Sequence, residues 1–220
     1  MKITVKGTIV ENEDAWIYDY FGMENTCPKA IESAIEEANG EDIDIDINSG
    51  GGSVFAGSEI YSAIRGYNGN VNIHVVGLAA SAASVIAMAG HSDIAPTAQL
   101  MVHNVSSCAS GNYHDMDKMS EALKQANKAI ASAYVAKTGM SMEDALALMD
   151  AETWISAGEA VERGLIDEVQ GQNNANTSAD FAKSLVAGFG NILPDSVLNK
   201  YRAERNKLVE ELNDLENKEV

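Results

Sequence analysis

Up to Gly90 the chain alternates strand-like and helix-like segments, and this alternation constrains the fold more than any other feature of the sequence. Ile3, Val5 and Ile9 alternate with Lys and Thr, which predicts a first strand ending near Val10. Pro28 sits where a helix should begin, with Thr26 as its cap. Ala30, Ile31, Ala34, Ile35 and Ala38 then recur at helical spacing until Asn39-Gly40. Asp42-Ile-Asp-Ile-Asp-Ile47 alternates strictly, a strand with one acidic face. Asn48-Ser-Gly-Gly-Gly-Ser53 reads as a loop open to backbone angles that other residues avoid. A helix over Val54 to Arg65 stops at Gly66, and the β-branched run Val71 to Val76 reads as a buried strand that Gly77 breaks. Ser81 then heads an apolar helix running roughly from Ala82 to Ala89. Strands joined through helices become parallel neighbours, so the predicted class is α/β with a largely parallel sheet. Within this rhythm, aromatic Trp16 to Phe21 fits either a strand or a loop.

Ile94 to His103 reads as two short strands about a turn at Pro96, followed by a polar loop over Asn104 to Tyr113 that holds His114 at its end. Met116, Met119, Leu123, Ala126, Ile130 and Tyr134 then mark a long helix ending at Thr138-Gly139, its methionines suited to core or subunit packing. Ser141-Met-Glu-Asp144 is a capping box for a further helix. After Trp154-Ile-Ser156, another helix closes at Gly164 before a last strand. Residues 1–170 form the expected domain, 171–196 a polar linker and 197–220 an amphipathic helical tail. In that tail Leu198, Tyr201, Arg205, Leu208, Leu212 and Leu215 fall three and four apart, which suits a solvated helix and a short coiled coil equally.

A net charge of −18 argues against a basic surface for nucleic acid or an anionic membrane. Two cysteines, Cys27 and Cys108, form no disulfide framework and lack zinc-ligand spacing, as suits a reducing cytoplasm. Met1 to Lys6 alternates like a strand and offers no apolar signal segment. The run between Gly77 and Gly90 is too broken by small residues for a membrane span. The expectation is a cytoplasmic chain with no metal or organic cofactor.

The chemistry centres on Ser81, in a strand–turn–serine–helix layout. Helix-start N–H groups lack intrahelical partners and favour negative charge, as an acyl intermediate on that serine requires. A serine also needs a base, and the base an orienting group. Of the four histidines, His103 at a strand end after Leu100-Met-Val is best placed. His74 lies inside a strand, His91 follows a helix end and His114 sits in a polar segment. Ser84 is a rival nucleophile but falls one turn into the helix, where it packs. The plainer alternative is a small-residue helix built for close approach, with a structural histidine nearby.

Four ordered motifs together resemble the proteolytic subunit of the Clp protease: Asn48 to Gly57, Gly77 to Gly90, Met101-Val-His103, and Trp154-Ile-Ser-Ala to Asp167. The wording Glu152-Thr-Trp-Ile-Ser-Ala157 is similar to the phage and prophage branch, whose members are associated with capsid maturation. The resemblance implies a spiral of βαβ units, as also found in crotonase enzymes, with the long helix as an oligomerising handle. It implies Ser81 as nucleophile, His103 as general base, and backbone N–H groups of Gly51 and Ala82 as oxyanion donors. It implies a polypeptide substrate aligned along Asn104 to Gly111, a heptameric ring or double ring, and capsid or scaffold proteins as partners.

The sequence also departs from the family pattern. Glu152 stands where the family has its third catalytic residue, usually Asp, with Asp150 the second candidate. Gly50 replaces a proline, and Asn104-Val105 replaces Gln-Pro. The chain begins almost at its first strand, with no counterpart of the segment that contacts an unfoldase, which weighs against an ATPase partner. The competing expectations are a general ring peptidase fed by an ATPase, a crotonase-like acyl-CoA enzyme, and a catalytically inactive assembly scaffold.

Overall fold

The computed structural model describes residues 1–171; the expected tail over 197–220 and all but the first residue of the expected linker lie outside the described residues. The elements are β1 (Lys2–Ile9), α1 (Ala15–Tyr20), β2 (Asn25–Thr26), α2 (Pro28–Ala38), β3 (Ile43–Gly52), α3 (Val54–Arg65), β4 (Val71–Ala80) and α4 (Ala82–Ala87). They continue with β5 (His91–Ile94), β6 (Gln99–Val102), α5 (Tyr113–Thr138), α6 (Met142–Asp150), β7 (Thr153–Ser156), α7 (Ala157–Glu162) and β8 (Glu168–Val169). The sheet runs β2-β1-β3-β4-β5-β8 with every pairing in it parallel, and β6 leaves β4 to pair antiparallel with β7. This is the mixed α/β fold that the alternation predicts.

The strict alternation of β3 explains how the sheet is covered. Ile43, Ile45 and Ile47 are fully buried, and so are Ile73 and Val75 beside them on β4. This face packs into one core with Ala56, Ile60 and Ile64 of α3 and the apolar side chains of α4. Each fully buried Ile or Val contributes roughly 1.5–3 kcal/mol by leaving water. The opposite face stays polar: Lys2 pairs with Asp46 at 2.7 Å, and His74 lies between Asp93 at 2.8 Å and Asp44 at 3.5 Å. Asp44 is held below the usual carboxylate range, chiefly by the Asn72 amide donating to it and also by His74.

Two predicted breaks in the sheet are instead bulges. The glycine segment 48–52 belongs to β3, and β4 continues through Gly77 to Ala80. The β3–β4 register jumps from Ile47↔Val75 to Ser49↔Ala79, so β4 carries extra residues around Gly77. A Cβ at Gly77 would lie 2.4 Å from Asn48 Oδ1, and that same oxygen accepts the Leu78 N–H at 3.1 Å. Asn48 thus fills the gap in the ladder, and glycine lets it approach. Between β1 and β3 a matching shift is filled by buried Ser49, which donates to Gly7 O at 2.6 Å and accepts from Gly51 N at 3.1 Å.

Three smaller expectations also change. Trp16 to Tyr20 is a short exposed helix, neither strand nor loop, because β2 and β3 already occupy both edges of β1 where that segment would have to pair. Thr26 does not cap α2: its hydroxyl is taken up by Lys6, donating to Lys6 O and accepting from Lys6 N at 2.9 Å each, so Cys27 is the N-cap before Pro28. His114 lies in the first turn of α5, which Asn112 and Asp115 cap reciprocally. The α3 boundaries, the left-handed Asn39 cap and the Ser141 cap of α6 match the sequence reading.

Candidate active site

Both central side chains sit at the C-terminal ends of neighbouring parallel strands. Beyond its bulge β4 changes partner: Asn72 to Val75 pair with β5, but Leu78, Ala79 and Ala80 pair with Gln99, Leu100 and Met101 of β6. Ser81 follows β4 and His103 follows β6, so this pairing delivers them side by side. The Ser81 N–H donates to Met101 O at 2.9 Å, and His103 Nε2 lies 2.8 Å from Ser81 Oγ. Such a distance lets a neutral imidazole accept the serine proton. None of the other three histidines bonds Ser81 in the described structure.

Ser81 adopts φ 55°, ψ −126°, a backbone conformation that L-residues avoid, at a cost of about 1–3 kcal/mol. This sharp turn joins β4 to α4 and presents Oγ to a cavity of about 70 Å³. Gly52, Ala82 and His103 line it with Ser81, while Val54, Val85, Ile130 and Tyr134 give an apolar wall. An adjoining groove of about 380 Å³ runs between Val54, Phe55, Val105 and the Met119, Leu123 and Ala126 face of α5. The expected methionine stripe therefore splits, with Ile130 and Tyr134 buried in the core and Met119 walling this groove. Residues 103–112 between β6 and α5 carry no helix or strand.

The glycine segment contributes differently from expectation. Gly51 is in the left-handed region at φ 91°, and a Cβ there would lie 2.7 Å from both Ala80 O and Ser81 Cβ. It lets β3 pass directly against the serine turn. Its N–H, expected to face an oxyanion, points instead to Ser49 Oγ. The glycine bordering the cavity is Gly52. Ala82, the other expected donor, is the first residue of α4, where the N–H has no partner within the helix.

The acid side is less closed. Antiparallel β6–β7 pairing ends at Val102↔Thr153, so one further step of register sets Glu152 opposite His103. Glu152 is at φ 48° and exposed, and among the described residues it has no hydrogen bond to His103. Asp150, the other candidate, accepts from Asn104 Nδ2 at 2.6 Å. Asn104 Oδ1 in turn accepts from Asn127 Nδ2 at 2.8 Å, and Asn127 Oδ1 accepts from Val105 N at 2.8 Å. Sequence reasoning did not single out Asn127 or Ser49: a polar residue on a long helix, or a serine among glycines, carries no signal of its partner. Ser84 is fully buried, as its place one turn into the helix predicts.

Among the described residues no group of three or more His, Cys, Asp or Glu side chains is placed to hold a metal ion, and no helix is long and apolar enough to cross a membrane. The ATP-dependent Clp protease proteolytic subunit of Bacteroides fragilis is 35% identical over 133 residues, 59% of this chain and 64% of that protein. Its counterpart from strain YCH46 is also 35% identical over 133 residues, 59% of this chain and 60% of that protein. The ATP-dependent Clp protease proteolytic subunit 1 of Chlamydia muridarum is 34% identical over 135 residues, 59% of this chain and 70% of that protein. The chain thus covers less than two thirds of the length of the Bacteroides relatives. The Clp protease family model matches residues 26–173, more than half of the sequence and the whole of the serine–histidine site, and the chain belongs to that family.

Proposed function

We propose that this chain is a serine endopeptidase in which His103 takes the proton of Ser81 as Oγ attacks the scissile carbonyl. The observation that carries this reading is the 2.8 Å approach of His103 Nε2 to a serine held in a strained strand-to-helix turn. The alkoxide-like oxygen of the tetrahedral intermediate is stabilised by the Ala82 N–H and by the glycine strand. Gly52 supplies the second donor more readily than Gly51, whose N–H would first have to leave Ser49. His103 then returns its proton to the leaving amine, and water hydrolyses the acyl-enzyme by the same route in reverse. Glu152, opposite His103 by strand register, orients the imidazole once its side chain turns inward. An extended substrate lies along residues 104–111, offering one side chain to the cavity beside Ser81 and a neighbouring one to the groove against α5.

The biological setting follows from the resemblance. The chain acts as a homo-oligomer, a heptameric ring or double ring joined through α5, in the cytoplasm of a host cell. It belongs to the phage or prophage branch, and its substrates are capsid or scaffold proteins. An exposed Glu152 with no bond to His103 is the one observation favouring an inactive scaffold instead. Labelling with a fluorophosphonate probe decides between them: the assembled wild type should label rapidly and Ser81→Ala not at all. An assembled wild type that stays unlabelled overturns the peptidase reading. Co-expression with the capsid and scaffold proteins of the same genome, scored for Ser81-dependent cleavage, tests the substrate class.

A further inference from the structure

We propose that Tyr134 and Ser84 are positioning residues for the nucleophile, forming a buried chain of two hydroxyls from α5 to the carbonyl of Ser81. This inference rests on the serine-peptidase reading above. Ser84 is fully buried and Tyr134 is 2% exposed, so water does not satisfy either hydroxyl. Ser84 Oγ donates to Ser81 O at 2.6 Å and lies 2.8 Å from Tyr134 OH. A serine hydroxyl has one proton, and the carbonyl can only accept. The direction is therefore fixed: Tyr134 O–H donates to Ser84 Oγ, and Ser84 O–H donates to Ser81 O. Burial pushes the Tyr134 phenol up to about 12, against a smaller opposing effect of the Ser84 bond, so it keeps the proton this direction requires. Donating to one neighbour while accepting from another polarises each hydroxyl and strengthens both bonds.

The position of the chain matters as much as its direction. The Ser81 peptide groups are clamped on both sides. The N–H is held by Met101 O, and the carbonyl is held twice, by Ser84 N at 3.0 Å and by Ser84 Oγ. The Ser84 N–H bond would form at any helix start; the hydroxyl chain is particular to this sequence. It ties the disfavoured backbone conformation of Ser81 to α5 through a tyrosine 50 residues beyond Ser84. Losing it frees the Ser81 turn to relax toward ordinary angles and moves Oγ from His103, while the Val54, Val85 and Ile130 wall of the cavity stays.

The test compares wild type, Tyr134→Phe, Ser84→Ala and the double variant in fluorophosphonate labelling and in kcat and KM for a fluorogenic peptide. Phe keeps the ring that forms part of the cavity wall, and Ala fits where a serine already packs. Each single variant should acylate about tenfold more slowly, the scale of one buried hydrogen bond. KM should stay within about twofold, and the double variant should be no slower than Ser84→Ala because one chain has been cut. Wild-type labelling rates in both single variants, or losses that multiply in the double variant and follow falling melting temperature, overturn the positioning role alone. An assembled wild type that does not label overturns the peptidase reading and this inference with it.

Discussion

The two sides of the candidate site are built by different means. On the nucleophile–base side, Ser81 and His103 leave the ends of β4 and β6, whose pairing runs up to Ala80↔Met101 and continues into the Ser81 N–H bond to Met101 O. Backbone hydrogen bonds set both residues, and the register shifts that Asn48 and Ser49 fill bring the glycine strand against them. On the acid side, the last antiparallel pair is Val102↔Thr153, and Glu152 stands one residue beyond it in an exposed left-handed turn. Its backbone is placed while its carboxylate is uncommitted. The structure thus fixes the Ser81–His103 pair more firmly than the carboxylate of Glu152.

That contrast sets an order of expected effects. Ser81→Ala should abolish acylation, since no Oγ remains to form the acyl bond, and His103→Ala should slow it at least about a thousandfold, leaving only binding and the oxyanion donors to assist attack. Loss of labelling with an unchanged oligomer is the check. Gly51→Ala comes next. The added Cβ meets backbone at 2.7 Å from Ala80 O in a left-handed conformation, so the serine turn must shift, costing about a hundredfold in kcat. Glu152→Gln should cost roughly tenfold to a hundredfold, less than is usual for a buried orienting acid. Asp150→Asn should change kcat less than about threefold, since its carboxylate serves Asn104 rather than His103. A larger loss for Asp150→Asn than for Glu152→Gln would reverse the assignment and show that the acid side is fixed after all.

What could be read in advance follows the same division. The alternating Ile43 to Ile47, the Ala30 to Ala38 spacing and the strand-to-helix turn at Ser81 are local signals, and the structure carries each of them. Gly77 misled because a glycine in a β-branched run marks either a strand end or a bulge. Only the cross-strand partner Asn48, 29 positions earlier, decides for the bulge. The motif makes the Gly51 N–H an oxyanion donor, but the buried Ser49 hydroxyl two residues away captures it. The motif assigns Glu152, and one further step of strand register sets it opposite His103. The bond it should make is a matter of side-chain conformation, which no residue spacing encodes. Tyr134 and Asn127 act across the fold, so their hydroxyl and amide had no legible partner in the sequence.

Asn127 bears on the substrate side of the site. Its amide holds the Val105 N–H and orients Asn104, fixing the start of the segment along which substrate would lie. Asn127→Ala should raise KM about threefold to fivefold with little change in kcat, since the bond acts on binding rather than on the reacting atoms. An equal fall in kcat with constant KM would instead place this amide chain on the catalytic side of the divide.

The smallest effect on catalysis is expected at the far end of α5. Lys137, nearly buried, donates to Gly90 O at 2.9 Å and pairs closely with Asp167, which also accepts the Ser92 N–H at 2.7 Å. Burial alone would raise the Asp167 carboxyl, but the Lys137 ammonium and the Ser92 N–H outweigh it and hold it below the ordinary value. A carboxylate with a depressed folded-state pKa stabilises the fold above its unfolded value, about pH 4, and loses that contribution as pH falls through the folded value. Asp167→Asn should therefore melt a few degrees lower than wild type at neutral pH, and the gap should narrow below about pH 4 as the wild-type carboxylate is protonated. Labelling of Ser81 at neutral pH should be unaffected below the melting transition, because β4, β6 and the Ser84–Tyr134 hydroxyls hold the serine and histidine without this clasp. A Ser81 labelling rate that fell together with the melting temperature would show that the Lys137–Asp167 pair also holds the end of α5 where Tyr134 meets Ser84.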